Sequence, residues 1–370
     1  MLGCWAVVRW PGVECPRCPV DKEAIRRKDC VRNIARQVQE DLRPRFVSEA
    51  MDVVSTTASG SRMPPSILPV MNNINMLGNG LLVLESDKEG FLVVLDQGKY
   101  NEKAQAAVEN NFSCVSENAE RIRKQAVSLL NDARLDYLVK DIKKAKEKTL
   151  GIFFSVKTHK LDMPFRSIVS ERNTWQSVVS SYLQKNLSCL KLEDPYFISS
   201  SSCLVQHLEM QSLKGCAALS VDVEDLFFSL PHNELMESVK ICISQFNDVF
   251  QLRARSGVSL ESFLKILSMY LKSTVIGWQD KVLRQKSGVC IGSKVPPVLS
   301  DIFLSRINRK LSRGLGDGIR HVCRYVDDYL VIFDNNHDYH QMTDSIIKCF
   351  QECGYGLRFT TEFMEQQQLQ

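Results

Sequence analysis

The sequence has no apolar run near the roughly 18 residues that a membrane-spanning helix needs. Its apolar opening, Met1 to Trp10, is too short for a secretory signal. No segment recurs at a spacing of about 20 to 50 residues, which excludes solenoids and propellers. Neither sign of charge dominates: 47 Lys and Arg face 43 Asp and Glu, for a net charge of +4. Any nucleic-acid surface must therefore come from local clustering, not from the total. Thirteen cysteines run from Cys4 to Cys353, an odd number, and most lie in apolar stretches as Cys216, Cys242 and Cys323 do. That pattern argues against a disulfide framework and for a reducing compartment. Metal-ligand spacing occurs only in Cys15-Pro-Arg-Cys18, and a structural zinc wants four ligands. Cys4 and Cys30 could complete a set, but there is no second Cys-x-x-Cys and no nearby His, so plain thiols are the simpler reading. What remains is a globular composition, 44% hydrophobic and 24% charged, long enough for two or three domains or one large core.

The Ser, Gly and Pro of residues 55–66 mark a linker after a basic N-terminal piece. Leu81 to Leu84 and Phe91 to Leu95 predict two strands joined by a polar turn that ends on Gly90. Residues 118–148 predict a helix with Lys143, Lys144, Lys146 and Lys148 crowding its end. Strands follow at Gly151 to Val156 and around Arg166 to Val169. Helical spacing joins Leu260, Phe263, Leu264, Leu267 and Leu271, and again Leu299, Ile302, Phe303, Ile307 and Leu311, with Gly314 as a stop. Strands and helices mix without alternating regularly, which favours an α+β fold.

The richest segment is His321-Val-Cys-Arg-Tyr-Val-Asp-Asp-Tyr-Leu-Val-Ile-Phe333. Apolar residues flank two adjacent aspartates, so the simplest geometry is a hairpin with Asp327 and Asp328 at or beside its turn. Two carboxylates beside a buried sheet repel and lose hydration. A divalent cation relieves both, and magnesium suits a few carboxylates plus substrate phosphates. Alone, the pair is more often a solvated turn than a catalytic site. A second apolar strand, from Cys216, ends on Asp222 and is followed by Phe227-Phe228. If it lies beside the hairpin, three carboxylates converge. Third comes the Gly/Pro loop from Gln285 to Asp301, where Gly288 and Gly292 permit close backbone approach by a base pair or template strand.

Together these segments resemble the reverse transcriptase family in content, order and spacing. Asp222-Val-Glu-Asp-Leu-Phe-Phe-Ser-Leu-Pro is similar to its first catalytic motif. Gln285-x-x-Gly-x-x-Ile-Gly-Ser with Pro297-x-Leu-x-Asp301 is similar to the second, Tyr325-Val-Asp-Asp to the third, and Gly356-Leu-Arg-Phe-Thr-Thr-Glu362 to the fourth. Upstream, Asp87-Lys-Glu-Gly, Lys157-Thr-His-Lys and Pro164-Phe-Arg-Ser-Ile-Val-Ser resemble Penelope-like retroelements, relatives of telomerase. The resemblance covers roughly residues 80 to 365.

It implies a right-hand polymerase fold: an N-terminal extension and linker over 1–75, then a reverse transcriptase domain over 76–370. Within that domain 76–215 and 236–284 would be mainly fingers, and 216–235 and 285–370 mainly palm. By the resemblance, Asp222, Asp327 and Asp328 hold two magnesium ions, with manganese as a substitute and the Val223 carbonyl as a further ligand. Phe227 sits where an aromatic ring excludes a ribose 2′ hydroxyl. Arg166 and Lys157 grip the triphosphate, a role that suits a guanidinium. Gln285, Gly288 and Gly292 meet the nascent base pair and template, and Tyr325, beside the carboxylates, is a further substrate-binding residue. RNA template, DNA primer and deoxynucleotides are the expected partners, with no membrane and no named protein partner. Lys294-Val-Pro296-Pro297, Ser167 and Glu89 depart from the family pattern but remove no metal ligand. A primer-supporting Phe-Leu-Asp strand and a thumb are expected after Glu362 and are not seen before Gln370, which reads as a truncated copy. The competing expectation is an inactive fragment that binds nucleic acid through Lys143 to Lys148, Lys157, Lys160 and Arg166. No targeting motif is clear, so the expectation is only intracellular, nucleus or cytoplasm.

Overall fold

The computed structural model describes residues 6–9, 80–88, 91–116, 118–335 and 339–362. The zinc expectation at Cys15 and Cys18 and the linker at 55–66 lie outside them. The chain divides into two units, Met1–Lys103 with Val156–Pro164, and Ala104–Ser155 with Phe165–Gln370.

In the first unit β1 (Ala6–Arg9), β2 (Leu81–Glu85) and β3 (Phe91–Asp96) form an antiparallel sheet in the order β1-β3-β2. The expected hairpin is there, with Leu82 opposite Leu95 and Leu84 opposite Val93. Val93 and Leu95 are buried while Leu92 and Val94 are half-buried, the period-2 signature of a strand with one covered face. Ser86 bridges to Val156, and the Asp87 amide donates to the Val156 carbonyl at 2.9 Å. Lys157 opens a tight turn: its amide donates to the Pro164 carbonyl at 3.0 Å, and the Lys160 amide to the Lys157 carbonyl at 3.0 Å. The division between the units falls inside α1 (Gln97–Asn111).

The second unit continues with β4 (Phe112–Cys114), α2 (Ala119–Asp132) and α3 (Asp136–Lys144). The single helix expected over 118–148 is thus two helices. Arg134 turns to φ +57° and the Leu135 amide reaches the Leu130 carbonyl at 2.9 Å, which ends α2 and carries Leu135 into the core. The Asn118 side chain caps α2 by accepting from the Glu120 amide. Lys143 and Lys144 fill the last turn of α3, where cations offset the helix dipole, while Lys146 and Lys148 lie beyond it.

Next come β5 (Gly151–Val156), β6 (Phe165–Ser170), α4 (Trp175–Leu187), α5 (Ser201–Glu209) and β7 (Cys216–Val223). They lead to the single turn α6 (Leu226–Ser229), then α7 (His232–Phe246), α8 (Val249–Ser256) and α9 (Leu260–Leu271). The hairpin β8 (Val275–Trp278) and β9 (Lys281–Gln285) follows, then α10 (Pro296–Gly314), β10 (Ile319–Tyr325), β11 (Asp328–Asp334), α11 (Tyr339–Cys353) and β12 (Phe359–Glu362). Three sheets result: β5 with β6, β4-β9-β8, and an antiparallel sheet in the order β10-β11-β7-β12. The architecture is therefore mixed helix and antiparallel sheet, as the pattern predicted.

Leu299, Ile302, Phe303, Ile307 and Leu311 of α10 are all buried, and each such side chain contributes roughly 1.5–3 kcal/mol on burial. In α9, Phe263, Leu267 and Leu271 are buried, but Leu260 and Leu264 are only partly so. The same core takes Leu219, Val221 and Val223 from β7 and Tyr329, Val331 and Phe333 from β11. Alternate residues point to opposite faces of a strand. Asp222 and Asp328 therefore fall on the face turned away from those core residues. Among the described residues no helix is long and apolar enough to cross a membrane, and the nine described cysteines are free.

Candidate active site

Burial parity on β7 and β11 sets the site. Pairing of these strands puts Asp328 directly opposite Asp222, with Thr360 of β12 on the other side of Asp222. Tyr325 pairs with Asp328 and closes the hairpin, leaving Val326 and Asp327 as a two-residue loop. The Val223 amide donates to the Asp327 carbonyl at 3.3 Å, tying the loop to the end of β7. Val326 has φ +55°, a left-handed conformation that a β-branched residue adopts only under constraint. Asp222 and Asp327 are half-buried, Asp328 is exposed, Val223 is buried, and Tyr325 is 44% exposed.

After β7 the chain turns sharply. Asp225 sits at φ +46° and its carbonyl accepts from the amides of Phe228 and Ser229 at 2.9 and 3.0 Å. This makes α6, which carries Phe227. The Gly-rich loop docks on it: the Val289 amide donates to the Phe227 carbonyl at 2.6 Å, and the Gly288 amide to the Leu230 carbonyl at 3.0 Å. A Cβ at Gly288, φ +77°, would lie 2.1 Å from the Phe227 carbonyl oxygen. A Cβ at Gly292, φ +105°, would lie 2.4 Å from the Val169 carbonyl oxygen, and the Val169 amide donates to the Ile291 carbonyl at 2.7 Å. These two glycines were read from sequence as room for a base pair. What comes close in the structure is the chain's own backbone, which fastens the loop to α6 on one side and to β6 on the other. Arg166 lies on β6, half-buried, on the parity opposite Phe165, Ser167 and Val169. Gln285 is 6% exposed; its Nε2 donates to the Ser287 carbonyl at 2.7 Å and its buried Oε1 has no partner.

So the fold brings Asp222, Val223, Asp327 and Asp328 together with Tyr325, and links Phe227, Gly288, Gly292 and the Arg166 strand by backbone bonds. Lys157 belongs to the first unit. Among the described residues no group of three or more His, Cys, Asp or Glu side chains is arranged to hold a metal ion by itself. Magnesium is usually held by one or two carboxylates plus substrate phosphates, keeping several waters. A donor set of Asp222 facing Asp328 across the strands, with Asp327 adjacent, fits an ion that arrives with its substrate.

Sequence reasoning missed the groups behind the hairpin. Arg324 of β10 has no exposed side-chain surface and is ion-paired to Asp194 at 2.8 Å and to Asp301 at 3.2 Å. Burial works against its charge, but Asp194, Tyr329 and Asp301 outweigh burial and hold its pKa above the usual value. Burial pushes the Asp301 carboxyl up while Arg324 opposes that rise. Arg324 shares its strand with Arg320 and His321, so its sequence neighbours do not set it apart. Glu171, just past β6, is also buried; it accepts from Ser180 Oγ at 2.6 Å and Tyr270 Oη at 2.5 Å. Burial raises its pKa, and those two hydroxyls and Lys294 only partly offset the rise. Nothing local in the sequence marks it.

The family model for reverse transcriptase (RNA-dependent DNA polymerase) matches residues 122–362. No curated protein matches the chain. Apo telomerase from Candida tropicalis, truncated from its C-terminal domain, superposes with a TM-score of 0.54 at 14% identity, over 88% of this chain and 64% of that one. Telomerase from Candida albicans, in complex with a TWJ fragment of telomeric RNA, superposes with a TM-score of 0.53 at 14% identity, over 89% of this chain and 55% of that one. At such identity the likeness is one of fold, and this chain spans between about half and two-thirds of those proteins.

Proposed function

Because the chain belongs to the reverse transcriptase (RNA-dependent DNA polymerase) family, we propose that it is a retroelement polymerase of the Penelope-like kind, extending a DNA primer on an RNA template. The reaction is nucleotidyl transfer: the primer 3′ hydroxyl attacks the α-phosphorus of a deoxynucleoside triphosphate and pyrophosphate leaves. The sheet β10-β11-β7-β12 would belong to the palm, mainly 216–235 and 285–370, and 76–215 with 236–284 would be mainly fingers. Asp222, Asp327 and Asp328, with the Val223 carbonyl, would hold two magnesium ions, or manganese in their place. A metal held there would make the hydroxyl more acidic and stabilise charge on the leaving pyrophosphate.

The chain's own residues supply the rest. Arg166 presents a planar fork to triphosphate oxygens. The Phe227 ring, fixed by the Gly288 loop against its backbone, excludes a ribose 2′ hydroxyl. The loop through Gly288 and Gly292 would meet the nascent base pair and template, with the buried Gln285 holding it through the Ser287 carbonyl. Tyr325 braces Asp328 across the hairpin.

The observation that carries this reading is the register that sets Asp222 opposite Asp328, with the Asp327 carbonyl bound by Val223. Metal-dependent extension of a primer on an RNA template tests it. Asp327→Asn should lower the rate about a hundredfold or more, since metal ligation is worth several kcal/mol in the transition state. Extension that survives the substitution would remove the assignment. Protein that binds primer–template in a salt-sensitive way but never extends it, with or without magnesium, would show a nucleic-acid-binding chain instead.

A further inference from the structure

We propose that Arg324 is a positioning residue for the carboxylate turn: its guanidinium holds the Val326 carbonyl and so fixes Asp327 and Asp328, while Asp194 and Asp301 hold the guanidinium. The proposal rests on the polymerase reading only for its kinetic consequence.

Arg324 Nη1 donates to the Val326 carbonyl at 2.6 Å, two residues on, and to Asp301 Oδ1 at 3.2 Å. Nη2 donates to Asp194 Oδ2 at 2.8 Å. The bond to Val326 matters because that residue is the one at φ +55°. A valine does not rest in the left-handed region unless its surroundings hold it there. The hairpin supplies part of that hold through Tyr325 and Asp328, and the guanidinium supplies a directed bond to the strained peptide itself.

The anchors reach the turn from its other side as well. Asn308 Nδ2 donates to both oxygens of Asp194, at 2.8 and 3.0 Å, and Tyr329 Oη donates to Asn308 Oδ1 at 2.8 Å. Tyr329 is the residue after Asp328. One network therefore touches the turn on both sides of the adjacent aspartates. The Arg324 backbone is fixed too: its amide donates to the Tyr196 carbonyl at 2.6 Å, and its carbonyl accepts from the Ile198 amide at 2.8 Å.

A simpler role, filling space in the core, fits less well. A buried ion pair is an expensive filler, and apolar side chains of similar volume commonly do as well or better. The Arg324 Nε is buried and has no hydrogen-bond partner. The guanidinium thus leaves one of its own donors unmet while two nitrogens meet the turn and the acids. A planar fork presents its donors to a carbonyl and two carboxylates in fixed directions, which an ammonium on a flexible stem does not.

The test uses the full chain with Arg324→Lys and, as a milder change, Asp301→Asn. Hydrogen exchange is read by mass spectrometry on peptides spanning residues 324–329, without metal or substrate. Primer extension is read separately as kcat, KM for the nucleotide and the magnesium concentration for half-maximal rate. Arg324→Lys should speed exchange in that segment at least about tenfold while β7 and α10 keep their wild-type protection. Its kcat should fall about tenfold or more, with KM within about threefold and a higher magnesium requirement. Asp301→Asn should show the same pattern, more weakly. Unchanged exchange at 324–329 in Arg324→Lys overturns the proposal. So does a kcat loss equal to the loss of folded protein with an unchanged magnesium requirement. A wild-type chain that extends no primer overturns the polymerase reading alone, and the exchange result still decides the role of Arg324.

Discussion

Consider Asp222→Asn in the absence of metal. Asp222 and Asp328 are direct cross-strand partners, and such residues sit about 5 Å apart with side chains on the same face. Two unit charges at that distance repel by about 3 kcal/mol at an effective dielectric of about 20, and by about 0.8 kcal/mol in water. Asp328 is exposed and Asp222 half-buried, so the lower part of the range applies, about 1 kcal/mol. Asparagine keeps the shape and a carbonyl oxygen. For a folding unit of this size, 1 kcal/mol corresponds to a melting shift of about 2–4 °C.

Thermal denaturation in chelator should therefore show Asp222→Asn melting about 2–4 °C above wild type. Adding magnesium should raise the wild type and narrow the gap, because an ion that binds only the native state stabilises it by mass action. Asp328→Asn should give a similar gain, and the double variant no more than either single one, since one repulsion is removed once. A variant that melts at or below the wild-type temperature in chelator would refute the reasoning. So would fully additive gains.

Other expectations follow from the same site. Gly288→Ala should destabilise by about 3 kcal/mol or more in urea titration, because its Cβ would lie 2.1 Å from the Phe227 carbonyl oxygen at φ +77°. Glu171→Gln should flatten the pH dependence of stability. The raised Glu171 pKa means the native state holds its proton more tightly than the unfolded chain. Its contribution is complete below the ordinary carboxyl range and is lost as pH climbs through the raised native value, so denaturation midpoints across that window should fall more steeply in wild type. Phe227→Ala should raise ribonucleotide use relative to deoxyribonucleotide by about 10- to 200-fold in incorporation assays, the scale of one packing contact in a pocket.

How much of this was legible before folding depends on where the signal lay. Leu299, Ile302, Phe303, Ile307 and Leu311 announced α10 because burial and helical period coincide along one face. The hairpin was legible because two apolar runs flank Asp327 and Asp328. The break between α2 and α3 was not, since Arg134 is an ordinary helix former that takes φ +57° only because Leu135 gains a place in the core. The glycines gave half the answer: Gly288 and Gly292 said that something approaches closely, but the sequence could not say that it is the carbonyls of Phe227 and Val169. Least legible was the pairing of Asp194 with Arg324, two ordinary charged residues 130 positions apart. Each is unremarkable until tertiary contact puts both out of water.

The apolar alternation of β7 and the geometry of the carboxylates are one constraint seen twice. A slip of one residue between β7 and β11 would turn every side chain of β7 to its other face. Asp222 would enter the core, and Val221 and Val223 would go to solvent. Placing an ionised carboxylate there without a partner costs far more than any gain from the slip. The buried side chains of Leu219, Val221 and Val223 are therefore what keep Asp222 opposite Asp328. The turn is the exception, because a two-residue loop with Val326 at φ +55° gains nothing from that alternation. It needs a hold of its own, and the nearest side chain bonded to it is Arg324, through the Val326 carbonyl. Register fixes where the first carboxylate stands, and a buried guanidinium fixes the other two.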